Sequence, residues 1–410
     1  MSAAAIALYA FVFLKNAWVS DDAYILFRSL DQLLDGNGPR WNPHERVQVF
    51  TCPLWYGLLA TLGWFSRDHY LHAILLSAAC NLVVLWRLFQ LLPTPLHRLL
   101  AVVLLTFSQA YFDFTSSGLE NPLAYALLAS IARYCLLDDL PPASRHQRLL
   151  FATGLLLITR HDLLWLVLPL VLHTLRVSPR RQTGFILLLL PLVAWTVFSL
   201  VYYGFPFPNT AYAKLAAVVP RATFLQHGMT YFHVSLLRDL PSISVLVIGT
   251  VLGLCHRGAS RLLTAGILLH VIYIVWIGGD FMRGRFFSWD VLLSTILIWQ
   301  TPLPTTPRWR GAVANGRCLL LLLAMTMCVW LPWRPPVLTP WVWGTPPFGA
   351  PDTAQGITQE RNFYFRFTSL MRYWRKHDTL LLAHGWCVDS QEQLRRGIPV
   401  TLANTMGFRG

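Results

Sequence analysis

The chain has 410 residues, of which 55% are apolar and only 13% charged, and its mean hydropathy is +0.48. Soluble chains carry about 25% charged residues, so this composition excludes a disordered chain and argues against an ordinary soluble enzyme. The formal net charge of +14 requires no nucleic-acid partner, because basic residues that follow membrane topology account for it.

In chain order, the apolar blocks predict an all-α polytopic membrane protein with about eleven transmembrane helices. They lie at 2–19, 70–92, 97–112, 121–137, 149–159, 163–175, 183–203, 242–256, 261–277, 286–300 and 317–332. The first is read as a retained span and not a cleaved leader, and both chain ends read as incomplete. The first outer loop, 20–69, begins with helical apolar spacing at Ile25, Leu26, Leu30, Leu33 and Leu34, which suits an amphipathic helix in the membrane interface. Gly36-Asn37-Gly38-Pro39 stops it. Segment 53–66 is apolar but too short to span, so an interfacial or re-entrant helix is expected there. Residues 1–332 thus form a transmembrane domain. The Pro-, Gly- and Trp-rich stretch 333–360 reads as a linker, and 361–410 as a short C-terminal extracytoplasmic region. The seven cysteines show no CxxC spacing, which argues against a zinc site or a disulfide framework.

Charge orients the chain. With the N-terminus inside, the short inner loops collect arginines from Arg87 to Arg317, accompanied only by Asp138 and Asp139, as the positive-inside rule requires. The same assignment places every unusual polar motif outside: SDDAY (20–24), SGLEN (117–121), TRHD (159–162), PNTAYAK (208–214) and GGDFMRGR (278–285). One extracytoplasmic site at the membrane surface is expected.

Asp21 and Asp22 follow the first span directly. Two adjacent carboxylates there suit removal of a proton from an attacking hydroxyl or orientation of a sugar; they also permit a divalent cation without requiring one. A helix start beneath them favours the ionised form. Glu45 either pairs with Arg46 or faces a substrate. Glu120 is either the acid at the start of a helix or a site residue. Arg160 and Asp162 either bind each other or meet a phosphate. Lys214, Arg283 and Arg285 are outer cations at the depth of a lipid-linked phosphate, which arginine grips bidentately; lipid headgroups are their other natural partner. Asp280, after Gly278-Gly279, either approaches a sugar hydroxyl or pairs with Arg283 or Arg285. Arg28 and Asn209 complete the set expected to contact substrate.

The run DDAYILFR…GNGPRWNPHERVQVFTCPLW, followed in order by SGLENPL, TRHD, NTAYAK, GGDFMRGRF and ERNFYF, resembles the GT-C superfamily of polyprenyl-phosphate-sugar-dependent glycosyltransferases. Within it the likeness is to bacterial arabinofuranosyltransferases, including the mycobacterial terminal enzyme and those that modify type IV pilins. The resemblance covers about residues 18–410; His161 stands where proline is more usual. It implies a multi-pass protein of the bacterial inner membrane with its active site facing the periplasm or cell wall. It also implies an acid of the first outer loop at the reaction centre, matched by Asp21 and Asp22. The implied donor is polyprenyl-phosphate arabinofuranose and the implied acceptor a glycan or a pilin-type protein. A GT-C transferase of another lipid-linked sugar, such as mannose, is the alternative within the class. A lipid-sugar flippase is the alternative outside it, although transporters place ionisable groups near mid-membrane and often show repeats, neither of which is visible here.

Overall fold

The computed structural model describes residues 1–209, 212, 220–256, 258–300, 336–338 and 353–375. Helix dominates them, because an apolar run can satisfy its own backbone groups inside lipid only as helix. In chain order these are α1 (Ser2–Asn16), α2 (Asp21–Leu34), α3 (Pro53–Gly63), α4 (His69–Leu91), α5 (Pro95–Phe107), the single turn α6 (Gln109–Phe112), α7 (Asn121–Leu136), α8 (Pro142–Thr159), α9 (Leu164–Val177), α10 (Arg181–Tyr203), α11 (Arg221–Arg238), α12 (Leu240–Leu254), α13 (Ala259–Ile277) and α14 (Ser288–Gln300). A two-residue antiparallel pair, β1 (Thr353–Ala354) and β2 (Ile357–Thr358), then precedes α15 (Glu360–Thr368) and α16 (Leu370–Arg375).

Helices α4 and α10 have 23 residues each and α13 has 19. At about 1.5 Å per residue each comes close to or exceeds a hydrocarbon core of about 30 Å. These three are long and apolar enough to cross a membrane, and α11 with α12 passes only as a pair bent by 108°. Helix α10 shows why lipid is its solvent. Of its 23 residues only Gly184, Leu188, Ser199 and Tyr203 are buried, while Ile186, Leu190, Val193, Val197 and Val201 face outward. The predicted spans from 2–19 to 286–300 all fall on helices, several of them too short to count as spans on length alone. The predicted span 317–332 and most of the linker lie outside the described residues. Helix α11 was not expected: Gln226, His227, Thr230 and His233 interrupt any apolar run there. Packing seats it instead, with Gly228 against the Val275 backbone of α13 and Tyr231 fully buried. A glycine at such a crossing lets two backbones approach closely.

Contacts between helix ends sort many of them into two groups. At one end Arg98 donates to Ser2 Oγ at 3.3 Å and Arg133 to Gln90 Oε1 at 3.1 Å, while Gln300 bonds the Leu91 carbonyl. At the other end the Ser20 amide donates to the Ser117 carbonyl at 2.8 Å, Tyr70 to the Thr368 carbonyl at 2.8 Å, and Arg160 and Arg285 both reach Glu120. Among the described residues, the connections 92–94 and 137–141 with their flanking arginines therefore share one end, and SDDAY, SGLEN, TRHD and GGDFMRGR share the other.

Candidate active site

Helix α2 begins at Asp21, with Ser20 in extended conformation before it. Ala23, Leu26, Phe27 and Leu30 bury its inner face, which fixes the direction in which its first turn points. Asp21 Oδ1 accepts the Asp22 amide at 2.9 Å, and Asp21 Oδ2 accepts the Tyr364 hydroxyl at 2.6 Å. The Asp22 carboxyl is pushed above its ordinary value, first by burial and then by Asp21; Arg285 works the other way. It is thus a stronger base than a free aspartate.

Facing these acids is a buried chain of alternating charge. Glu120 precedes α7 without capping it with its side chain. Its carboxylate, in a residue only 2% exposed, accepts Arg160 Nη1 at 2.8 Å and Arg285 Nη2 at 3.1 Å. Burial works to raise the Glu120 carboxyl, and Arg285 with Arg160 outweighs it, leaving it below the usual range. Arg160 also grips Asp162 with both arms, at 2.8 and 2.5 Å, a bidentate geometry that only guanidinium supplies. Of the two alternatives for Arg160, the structure shows the pairing with Asp162, and it adds a second tie, to Glu120. The Cys52 thiol lies against Glu120 and is pushed up by burial.

The GGDFMRGR loop carries the cationic side. Gly278, Gly279 and Gly284 all have positive φ, a conformation that costs other residues a strained backbone. A Cβ on Gly284 would lie 2.8 Å from Ala110 Cα. Gly284→Ala is therefore expected to lower stability by about 1–3 kcal/mol, read as a drop in melting temperature in detergent, and to displace Arg285. An unchanged melting temperature would show that the loop relaxes freely. Asp280 accepts the Phe281 amide at 2.8 Å and lies within electrostatic reach of Asp22 and Arg285.

The structure brings together Asp21, Asp22, Glu120, Arg160, Asp162, Asp280 and Arg285. The remaining expected residues lie elsewhere. Arg283 is 5% exposed and spends its guanidinium on Gln109 Oε1 at 3.2 Å and Gln359 Oε1 at 2.6 Å. Arg28 donates to Asn42 Oδ1 and lies over the Trp41 ring; Glu45 accepts from Asn42 Nδ2, and Arg46 lies over Tyr202 instead of pairing with Glu45. Asn209 Oδ1 accepts the Gln48 amide at 3.1 Å. These three positions, Arg28, Glu45 and Asn209, shape the first loop and form no bond with the carboxylate cluster among the described residues. Lys214 lies outside the described residues. No group of three or more His, Cys, Asp or Glu placed to hold a metal ion occurs among the described residues.

Two elements absent from the sequence-based set build this site. Asp239, at the bend between α11 and α12, accepts the Ala110 amide at 2.7 Å and bonds Ser242; it satisfies the exposed amides of the single turn α6. Residues 353–370 form a strap. Thr358 exchanges backbone bonds with Phe281 and Arg283 at 2.7 and 2.9 Å, and the Val19 amide donates to the Thr368 carbonyl and Leu370 to Ala17 at 3.3 and 2.9 Å. The strap therefore ties the arginine loop to the residues just before Asp21. It delivers Tyr364 and Glu360, which the acidic and aromatic ERNFYF run signals only once its partners are known.

The chain is 29% identical over 405 residues to a terminal beta-(1->2)-arabinofuranosyltransferase of Corynebacterium glutamicum, covering 86% of this chain and 56% of that protein. It is 26% identical over 420 residues to the protein of the same name from Mycobacterium tuberculosis, covering 86% of this chain and 63% of the relative. This chain thus spans less than two thirds of the length of either. No family model matches, and no solved structure matches. The resemblance to arabinofuranosyltransferases drawn from the motifs is accordingly carried by two named relatives.

Proposed function

We propose that this membrane protein is a GT-C-type glycosyltransferase that moves arabinofuranose from a polyprenyl-phosphate donor to an extracytoplasmic acceptor, a glycan or a pilin-type protein. The observation that carries the reading is the convergence, at one end of the helices, of the Asp21–Asp22 pair with the Arg285–Glu120–Arg160–Asp162 chain. A transfer site needs a base on one side and fixed positive charge on the other. The names and similarity of the two relatives supply the sugar.

In the reaction the acceptor hydroxyl oxygen forms a bond to the anomeric carbon. The bond from that carbon to the phosphate oxygen breaks, and its electron pair leaves with polyprenyl phosphate. Asp22 takes the hydroxyl proton, with Asp21 held as its neighbour by Tyr364. Phosphate is a good leaving group, so charge stabilisation by Arg285 matters more than protonation. Glu120 orients Arg285, and Asp162 takes up the charge of Arg160, so what the leaving phosphate meets is the aimed guanidinium of Arg285 and not a net positive charge of the chain. We place the site on the extracytoplasmic side of the inner membrane, a reading supported by the arginine-rich connections at the opposite end.

The test supplies purified protein with synthetic polyprenyl-phosphate arabinofuranose or its mannose analogue. Transfer with the arabinose donor alone is expected. Transfer with mannose alone would move the substrate class. Movement of the intact lipid across a liposome, with no bond broken, would replace the enzyme with the transporter reading.

A further inference from the structure

We propose that Glu360, delivered by the 353–370 strap, is a positioning residue that holds a proton behind the Asp21–Asp22 pair and so helps Asp22 stay ionised. The inference rests on the transferase reading for its kinetic consequence, but its structural basis is independent of the sugar.

The argument begins with charge and geometry. Glu120 and Asp162 are balanced by Arg160 and Arg285, through contacts of 3.1 Å or less. Asp21, Asp22, Asp280 and Glu360 form no ion pair among the described residues. Carboxylates gathered in one partly buried site disfavour one another's ionisation, because like charges in close proximity repel. The proton settles where water is scarcest. Glu360 is 7% exposed, and its Oε2 has no hydrogen-bond partner among the described residues. An ionised oxygen left so would carry the full desolvation cost, whereas a neutral acid carries far less.

The groups facing Glu360 come from every side. Asp21 and Asp22 stand on α2, Asp280 and Arg285 on the glycine-rich loop, and Tyr364 on its own helix. Burial comes first and the two aspartates next in pushing the Glu360 carboxyl up, to about 9, with Arg285 opposing. Below that pH the acid is neutral and can share its proton with the aspartates. Above it, a fourth negative charge enters the site and opposes an anionic donor.

The sequence alone hides this arrangement, because Glu360 lies on a strap whose bonds reach back to Val19 and across to Phe281. The strap also explains the tolerance for an unpaired acid. Gln359 at its side bonds Arg283 and donates to Asp113 Oδ2 at 2.8 Å, and Arg361 reaches Asn16. The backbone at Glu360 is therefore held in place by its neighbours.

The test compares Glu360→Ala with Glu360→Gln in the full chain. Alanine is expected to lower kcat about tenfold, less than the 10²–10⁴ of a general base itself, because Glu360 acts through Asp22. Glutamine, which stays a neutral donor, is expected to restore most of kcat and to abolish the loss of activity above a pH of about 9. Infrared difference spectra of wild type minus Glu360→Gln read the same proton without any turnover. At pH 7 they should show the carbonyl stretch of a protonated carboxylic acid, converting to carboxylate only at alkaline pH. A carboxylate signal at pH 7 would overturn the proposal, as would a glutamine variant as impaired as alanine at neutral pH. If no sugar is transferred by any form, the infrared result still decides for or against the proton on Glu360, and only the transferase reading falls.

Discussion

Asp22→Ala is expected to reduce kcat by about 10²–10⁴, the contribution of a positioned general base, while leaving the protein folded and inserted. The carboxylate forms no ion pair among the described residues, and α2 is held by Ala23, Leu26, Phe27 and Leu30, so its loss removes little more than a favourable charge at a helix start, worth about 0.3–1 kcal/mol. The pH dependence has a definite sign. Burial raises the Asp22 carboxyl, and only the deprotonated form accepts a proton. Activity should therefore fall on acidification through a value above the ordinary aspartate figure of about 3.9, and this acid limb should vanish with Asp22. Asp21→Ala should be milder, because Asp21 already accepts from Tyr364 and the Asp22 amide. Full turnover in both variants would remove the carboxylate pair from the chemistry.

Glu120→Gln should be the most damaging substitution for stability. It leaves Arg160 and Arg285 buried with their shared partner neutralised, a loss of about 3–5 kcal/mol for breaking a buried pair from one side. The side chain of Glu120 is 3% exposed, against 11% and 12% for the arginines, so water cannot take its place. Melting in detergent should drop sharply, and kcat with it, because Arg285 loses its orientation. The pH sign follows from the depressed carboxyl: the stabilisation is fully present above the unfolded glutamate value and is lost as pH falls through the lower folded value. A variant that melts like wild type would show that the two arginines find other partners and that Glu120 is a bystander.

The sequence made some of this legible and not the rest, for physical reasons. Apolar runs report helices directly, which is why α4, α10 and α13 fall where hydropathy places them. The helical spacing from Ile25 to Leu34 likewise marks α2, and the structure begins that helix at Asp21. Arginine distribution separates the two ends of the bundle, and the polar motifs mark the site end. Helix α11 left no such trace because its polar residues break the pattern and its seat is made by Gly228 and Tyr231. Pairing was harder still. Arg160, Asp162 and Glu120 were visible as ionisable residues near span ends, but only the fold shows that Glu120 bridges two arginines. Arg283 and Arg285, two residues apart, looked equivalent as phosphate ligands; the positive-φ Gly284 between them sends one into the Gln109–Gln359 network and the other to Glu120. Glu360 and Tyr364 are remote in sequence from Asp21, and no local period announces a contact between them.

The most direct measurement is a single-turnover reaction in which wild type and Asp22→Ala receive the same labelled polyprenyl-phosphate arabinofuranose with a cell-envelope glycan acceptor. The expected result is release of polyprenyl phosphate matched one-for-one by arabinose on the acceptor in wild type, with donor bound but intact in the variant. Equal release by both proteins, or donor that binds wild type and is never cleaved with any acceptor, would contradict the assignment of Asp22 and Arg285 to a glycosyl-transfer site.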